Sequence, residues 1–301
     1  MERILLTGGS GVIGTAVRRS FSENGLQTLQ LVREARGREA ALPWDPYAVD
    51  PVPDLSPLEG ISAAIHLSGA NVAGHRWTKA RKQMIRDSRV RTTRAVAKLL
   101  ARLKRRPRVL ICASAIGIYG SRGDELIDEQ SAVGHDFLAS VCKEWEEAAQ
   151  PAADAGIRVV HSRFGVVLSP NGGALTKLLP LFRLGLGGQM GSGRQWVSWV
   201  ALPDVVRAID FALHTETISG PVNITAPEPV TNAEFTRKLA DVLRRPALLF
   251  VPELVLQLAF GEMAQSTILA SQRVVSKRLN EEGFKFECPE LSVALSFLLR
   301  N

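Results

Sequence analysis

The stretch from Ile4 to Gly14, Ile-Leu-Leu-Thr-Gly-Gly-Ser-Gly-Val-Ile-Gly, limits what this chain can fold into more than any other. Ile4, Leu5 and Leu6 form an apolar run long enough for a buried strand, and an amphipathic pattern (Ile13, Ala16, Val17, Phe21) begins soon after it. Glycines fall between the two at Gly8, Gly11 and Gly14, with Gly9 as an extra. A strand that turns into a helix through spaced glycines lets the backbone approach a pyrophosphate. The charge then rests on free N–H groups and on the positive end of the helix dipole. The spacing is G-x-x-G-x-x-G rather than G-x-G-x-x-G, yet its position between strand and helix points to the same chemistry. Gly8, Gly9, Ser10, Gly11, Val12, Ile13 and Gly14 are therefore the expected cradle of a dinucleotide.

The pattern downstream extends this expectation. A helix over about 13–24 stops at Gly25, and Leu26, Thr28, Leu29, Leu31 and Val32 read as a second strand. The tip of that strand is where an adenosine ribose is distinguished. An acid there accepts from the 2′-OH of NAD, whereas an arginine pairs with the 2′-phosphate of NADP. Arg33 is the first polar residue off the strand, with Arg36 and Arg38 close behind, which favours NADP; Glu34 keeps NAD as the alternative. After a proline-rich loop (43–59), Ile61 to Leu67 reads as a strand running into Ser68-Gly69-Ala70-Asn71. Leu67, Ser68 and Gly69 at its end are expected against the cofactor. A long helix over about 78–103 follows, with Met84, Val90, Val96, Leu99, Leu100 and Leu103 as its buried stripe and Arg89 aimed at the cofactor phosphates.

Val109 to Ala113 is the next strand, ending in Ser114-Ala115-Ile116-Gly117-Ile118-Tyr119-Gly120; a helix over about 137–153 and strands over 158–160 and 163–168 continue the alternation. Val166 on the last of these joins the expected cofactor contacts. Strands alternating with helices imply an α/β fold with a doubly wound parallel sheet over 1–168, with about 199–226 returning to it. The remaining 169–198 and 227–301 are expected to form a smaller, mainly helical cap. Within it, the glycine-dense run from Gly172 to Gly193 reads as a mobile loop, 264–280 as a helix and 283–286 as a short strand. A capping box at Thr231 and Glu234 starts another helix.

Composition narrows the function classes. The net charge of +7 is concentrated between His75 and Arg108, where fourteen Lys or Arg face the single acid Asp87, leaving the rest of the chain at −6. Without aromatic interleaving or a nucleic-acid-binding motif, that segment reads as a solvated helix face, and no nucleic-acid partner is expected. Cys112, Cys142 and Cys288 lie far apart and the histidines lack metal-ligand spacing, which argues against disulfides and zinc and for a reducing compartment. The first strand begins by residue 4 and no apolar stretch can span a bilayer, so a cytoplasmic protein with no membrane partner is expected. A small-molecule substrate is expected, with a homodimer left open.

The Thr7–Gly14 loop, Arg33 and the Ser114…Tyr119-Gly120 segment together resemble extended short-chain dehydrogenase/reductases of the NAD(P)-dependent epimerase/dehydratase type. Further blocks resemble the epimerase-family branch that has a distinct C-terminal helical domain. They are Trp44-Asp45, Leu67–Asn71 with Arg76-Trp77-Thr78 and Asp87-Ser88-Arg89, Trp145-Glu146, Pro180–Gly188, and Arg278-Leu279 before Gly283-Phe284. The resemblance covers essentially the whole chain and implies a Rossmann sheet of order 3-2-1-4-5-6-7, NADP, and a C-terminal cap. It also exposes two departures. The helix that should carry Tyr-x-x-x-Lys reads Phe137-Leu138-Ala139-Ser140-Val141-Cys142-Lys143, so Lys143 would need a tyrosine at Ala139. Ala201 stands where relatives tend to have histidine. Ser114 and Tyr119 are then the candidate catalytic hydroxyls. Two classes remain open: an NADP-dependent oxidoreductase or epimerase, and a protein that binds NADP without turning it over.

Overall fold

A computed structural model describes residues 2–34, 40–48, 52, 54–73 and 75–299; Arg36 and Arg38 lie outside these. Among the described residues seven strands form one parallel sheet: β1 (Arg3–Thr7), β2 (Gln27–Val32), β3 (Ala41–Pro43), β4 (Ala63–His66), β5 (Val109–Ala115), β6 (Arg158–Phe164) and β7 (Gly220–Ile224). Their order across the sheet is β3-β2-β1-β4-β5-β6-β7, as the family resemblance implied. β1 pairs with β2 on one side and β4 on the other, so the strand order reverses at β1. In sheets of this kind the crevice at such a reversal is where ligands sit.

Alternate residues of each strand feed opposite cores, as a parallel sheet buried on both faces requires. Ile4, Leu6, Ile65 and Val109 pack with Val17 and Phe21 of α1 (Val12–Glu23) and, through the same core, with Val205, Ile209 and Leu213 near the C-terminal edge of the sheet. Leu5, Leu31, Ala64 and Leu110 instead meet Val96, Leu99 and Leu100 of α2 (Lys79–Ala101). The α2 stripe differs from the sequence expectation at its N-terminal end. Met84 is exposed while Ile85, Thr92 and Thr93 are buried, because the two threonines find polar partners on His66 and Trp145.

The expected single helix over 137–153 is two, α3 (Phe137–Glu147) and α4 (Gln150–Asp154); Pro151, which lacks an N–H, sits in the first turn of the second. The glycine-dense region is not simply a loop, since α5 (Gly173–Arg183) forms inside it. α6 (Leu202–His214) returns the chain to the sheet, and the helical C-terminal region follows: α7 (Asn232–Leu243), α8 (Glu253–Phe260), α9 (Lys277–Glu281) and α10 (Leu291–Leu299). The Thr231–Glu234 capping box opens α7. Two expectations fail here. The stretch 264–280 is a π-helical turn (Ala264–Ile268), a two-residue strand (Arg273–Val274) and α9, because Arg273 and Val274 pair with Leu126 and Ile127. Residues 283–286 form no strand; Phe284 instead packs its ring against Phe211 and Phe286 at 5.4 and 4.8 Å. A separate core joins α5, α7 and α10 through Leu175, Phe182, Phe235, Leu239, Leu291 and Leu295.

Candidate functional site

The corner between β1 and α1 is shaped by absent side chains. Gly8 has φ +71°, and a Cβ on it would lie 2.6 Å from the carbonyl carbon of Leu67, so the tips of β1 and β4 touch backbone to backbone. A Cβ on Gly14 would overlap the carbonyl of Gly8. Gly11 N–H donates to that same carbonyl at 3.0 Å and caps α1, and no side chain caps the helix. Ser10 and Gly11 are exposed, Val12 and Ile13 half-buried. A cavity of about 220 Å³ opens beside them, bounded across the gap by Ser169 and Asn171. Uncapped first-turn N–H groups beside open space are an anion site in the making.

The second wall is the β4 tip. His66 is buried between Thr7 and Thr92, with Nδ1 2.6 Å from Thr7 Oγ1 and Nε2 3.3 Å from Thr92 Oγ1. Burial pushes its pKa down to about 3, so the imidazole is neutral at ordinary pH. Ser68 Oγ donates to Thr7 Oγ1 at 3.1 Å, and α2 holds the following loop: Ser88 Oγ accepts from Ala70 N–H at 3.0 Å, and Arg81 donates to the Asn71 carbonyl. Arg89 lies beneath Gly69, whose Cβ, if present, would be 3.4 Å from the guanidinium carbon. Its Nη1 donates to the Ile85 carbonyl at 3.1 Å and its charge sits 5.0 Å from the Trp145 ring centroid. Burial, with the nearby Arg81 charge, lowers its pKa from the usual value. Arg33 and Glu34 are exposed at the β2 tip, and Val166 lies half-buried beside Trp199.

At the β5 tip the polar groups are joined to one another. Ser114 Oγ donates to Glu146 Oε1 at 2.7 Å; Arg163 donates to both Glu146 oxygens at 2.8 Å and, through Nη1, to the Tyr119 hydroxyl at 2.8 Å. Tyr119 in turn donates to Asn223 Oδ1 at 2.7 Å. Burial pushes the Tyr119 phenol up to about 12, and its side chain has no exposed surface. A phenol so placed keeps its proton and has no open face toward a substrate. Ser114 is 2% exposed and spends its hydrogen on Glu146.

Glu146 is carried on the last turn of α3, and the turns before it meet this tip with an apolar side chain and a thiol. A Cβ on Gly117 would lie 3.6 Å from Leu138 Cβ and 4.0 Å from Cys142 Sγ, so the residues spaced four apart on the inner face are Leu138 and Cys142. Burial pushes the Cys142 thiol up to about 12. Lys143 points outward, 62% exposed and 4.0 Å from Glu147. Asn223 and His66 are polar members of the site that sequence reasoning did not single out, and Glu146 entered only within a block of family resemblance, with no role assigned. Glu146 lies 32 residues from its partner Ser114 and Asn223 lies 104 from its partner Tyr119, and no local periodicity marks such pairs.

Among the described residues no group of three or more His, Cys, Asp or Glu is placed to hold a metal. A sequence model described as the NAD dependent epimerase/dehydratase family matches residues 4–225, and a domain of unknown function, DUF1731, matches 251–298. The chain belongs to the NAD dependent epimerase/dehydratase family. Among relatives of this family, epimerase family protein Mb2239 from Mycobacterium bovis is 40% identical over 294 residues, 98% of this chain and 96% of that protein. The crystal structure of human epimerase family protein SDR39U1 (isoform 2) with NADPH superposes at a TM-score of 0.91, with 31% identity and 99% of each chain covered. A nucleoside-diphosphate sugar epimerase from Corynebacterium glutamicum gives a TM-score of 0.81 and 34% identity; the match covers 99% of this chain but 58% of that one. The glycine corner keeps the backbone form that its spacing predicts, whereas α3 carries Lys143 with alanine, not tyrosine, four residues before it.

Proposed function

We propose that this protein binds NADP(H) across the tips of β1, β2, β4 and β5 and presents the nicotinamide to a small-molecule substrate beneath its C-terminal helical region. The observation that carries this reading is the uncapped start of α1, held open by Gly8, Gly11 and Gly14 and facing a cavity. In it, residues 8–14 hold the pyrophosphate, Leu67, Ser68, Gly69 and Val166 flank the cofactor, Arg89 supplies positive charge, and Arg33 pairs with the 2′-phosphate. The human relative solved with NADPH supports the choice of NADP over NAD, and the corynebacterial relative's name supports a substrate akin to a nucleotide sugar. Three free, buried cysteines fit a cytoplasmic setting. Among the described residues no helix is long and apolar enough to cross a membrane.

For chemistry, Ser114 is the hydroxyl that could polarise a substrate oxygen, and it would do so only by giving up its bond to Glu146. Tyr119 acts at one remove, by orienting Arg163. A second reading, NADP held without turnover, is favoured by the inner face of α3, where Leu138 and Cys142 offer no ready acid. Titrating the protein with NADPH and NADH tests the first claim. Arg33→Ala should weaken NADPH by about 1.5–3 kcal/mol, the scale of a charge-assisted hydrogen bond, and leave NADH unchanged. Equal losses for both would refute the 2′-phosphate role. Following dihydronicotinamide absorbance with carbonyl and nucleotide-sugar substrates separates the two readings. Turnover abolished by Ser114→Ala supports the enzyme; tight NADPH binding with no turnover on any of them supports the holder. Light scattering decides between monomer and homodimer.

A further inference from the structure

The C-terminal region leaves one strand edge bare. Leu249–Val251 pairs in parallel with Gly188–Met190 and, among the described residues, with nothing on its other side. Leu249 N–H donates to the Gly187 carbonyl and Gly191 N–H donates to the Val251 carbonyl, so residues 249 and 251 turn their backbone toward that neighbour. By alternation Phe250, and Leu248 before it, turn their N–H and C=O groups outward. Such edges are ordinarily blunted with charge, a bulge or a covering element. This one is apolar: Leu248 is 89% exposed, and Leu249 and Phe250 are exposed beside it. Past Pro252, α8 continues the surface with exposed Leu254, Val255 and Leu258, while Leu256 is buried. Six such side chains amount to roughly 600 Å², the upper end of what a monomer leaves bare and most of the roughly 800 Å² that each partner gives to a stable interface.

The charges at the ends of this segment say what fits it. It reads Arg244-Arg245-Pro246-Ala247-Leu248-Leu249-Phe250-Val251-Pro252-Glu253, cationic at one end and acidic at the other. Two copies running antiparallel about a two-fold axis at Leu249 place Leu248 of each opposite Phe250 of the other. These are the residues with outward backbone groups, so each such pair can exchange two N–H···O bonds. In the same register Pro246 meets Pro252, which ends the ladder where the N–H donors run out. Arg245 of one copy then comes toward Glu253 of the other, at both ends. Among the described residues Arg245 is exposed and forms no ion pair, and the Glu253 carboxylate accepts from the Gln257 amide at 2.8 Å. α2 would not serve as such a surface, because its eight Lys or Arg against the single acid Asp87 would repel a second copy. We propose that this edge and α8 form an isologous homodimer interface, with the Leu249–Val251 strands of two copies joined antiparallel across the two-fold axis.

The test is analytical ultracentrifugation of the full chain without added nucleotide, over a range of micromolar concentrations. The wild type should sediment as a dimer. Leu248→Glu, at a site too exposed to disturb folding, should weaken dimerisation about thirtyfold or more, since it puts an unpaired carboxylate into the centre of the contact. Arg245→Glu should weaken it about tenfold, and adding Glu253→Arg to that variant should restore it, because the reversed charges again match. Leu249→Cys reads the register. A residue that faces its own copy at a non-hydrogen-bonded position has a Cα separation of about 4.5 Å, within the range that a disulfide spans. Under diamide this variant should give a covalent dimer, whereas the wild type, whose Cys112, Cys142 and Cys288 are buried, should not. A wild-type chain that stays monomeric overturns the proposal, and so does a dimer that Leu248→Glu leaves intact. Failure of the charge-reversed double variant to recover affinity, or of Leu249→Cys to cross-link within a persisting dimer, overturns the antiparallel register.

Discussion

Two strand-to-helix corners of this sheet handle their polar groups in opposite ways. At the β1–α1 corner, glycine holds the N-cap position and no side chain caps the helix, and Ser10 and Gly11 stand exposed beside a cavity. At the β5–α3 corner, Ser114, Glu146, Arg163, Tyr119 and Asn223 form a chain in which each hydroxyl, carboxylate and guanidinium has a partner at 2.7–2.8 Å. A corner with spare donors gains free energy when an anion arrives. One whose donors and acceptors are already matched must break a bond before it can receive anything. The difference separates binding from chemistry: the first corner can take a cofactor as it stands, while the second would have to give up internal contacts to act on a substrate.

The largest test of this contrast is Arg163→Met. It leaves Glu146 with a buried carboxylate served only by Ser114, so unfolding by urea should show a loss of about 3–5 kcal/mol, the cost of breaking a buried pair from one side. A loss below about 1 kcal/mol would place the pair with ordinary surface ion pairs and remove the basis for calling this corner closed. Next comes Gly14→Ala. Its methyl would overlap the Gly8 carbonyl, and backbone cannot move aside as a flexible side chain can. We expect a loss of about 1–3 kcal/mol in stability, as for overpacking, together with loss of NADPH binding. Gly11→Ala should separate the two effects. A Cβ there would meet only the Gly8 carbonyl, at 3.4 Å, so stability should change far less than cofactor affinity.

The same contrast explains what could be foreseen. The open corner is specified by backbone requirements that glycine spacing displays within eleven residues, so Gly8, Gly11 and Gly14 were legible at once. The doubly wound parallel sheet followed from alternation, and its strand order from the family resemblance alone. The closed corner is assembled from β5, α3, β6 and β7, with Asn223 contributed 104 residues after Tyr119, and local periodicity carries no trace of such a pairing. Thr92 and Thr93 were missed in the α2 stripe for a related reason: a polar residue looks like a core residue only once its partners, His66 and the Trp145 indole, are known. The broken helix over 264–280 is another nonlocal effect. Pairing with Leu126 and Ile127 overrides a helical pattern, aided by Ser271 and Gln272, whose side chains donate to the carbonyls of Gly123, Ile116 and Gly120.

Smaller effects sharpen the comparison. Tyr119→Phe removes one donor to Asn223 and one acceptor from Arg163, so it should cost about 1–2 kcal/mol in stability. Because the phenol is enclosed, it should leave NADPH affinity unchanged; a selective loss of turnover with stability intact would show that the hydroxyl reaches substrate after all. His66 supplies a pH test from beneath the open corner. Its folded pKa, about 3, lies below the unfolded value near 6.5, so the unfolded chain binds more protons between these limits. Its contribution to stability is therefore complete above about pH 6.5 and is lost as pH falls toward 3, at no more than about 1.4 kcal/mol per pH unit. A His66→Gln variant should show a shallower acid limb than the wild type; parallel limbs would exclude this origin.

The smallest expected effect is the most pointed. Lys143 is the lysine that sequence spacing offers for the superfamily's Tyr-x-x-x-Lys pair, yet it projects exposed from the outer face of α3, 4.0 Å from Glu147. An exposed pair at that distance contributes about 0–1 kcal/mol, much of it screened by salt. Lys143→Ala should thus leave unfolding free energy within about 0.5 kcal/mol and NADPH affinity unchanged. If turnover on any substrate is found, it should survive this substitution as well. A loss of turnover with the lysine gone would require α3 to rotate or shift when cofactor binds, bringing position 143 inward in place of Cys142. That rotation would draw Glu146 away from Arg163 and Ser114, since positions 142, 143 and 146 all sit on α3. The two corners would then be coupled, and filling the first would open the second.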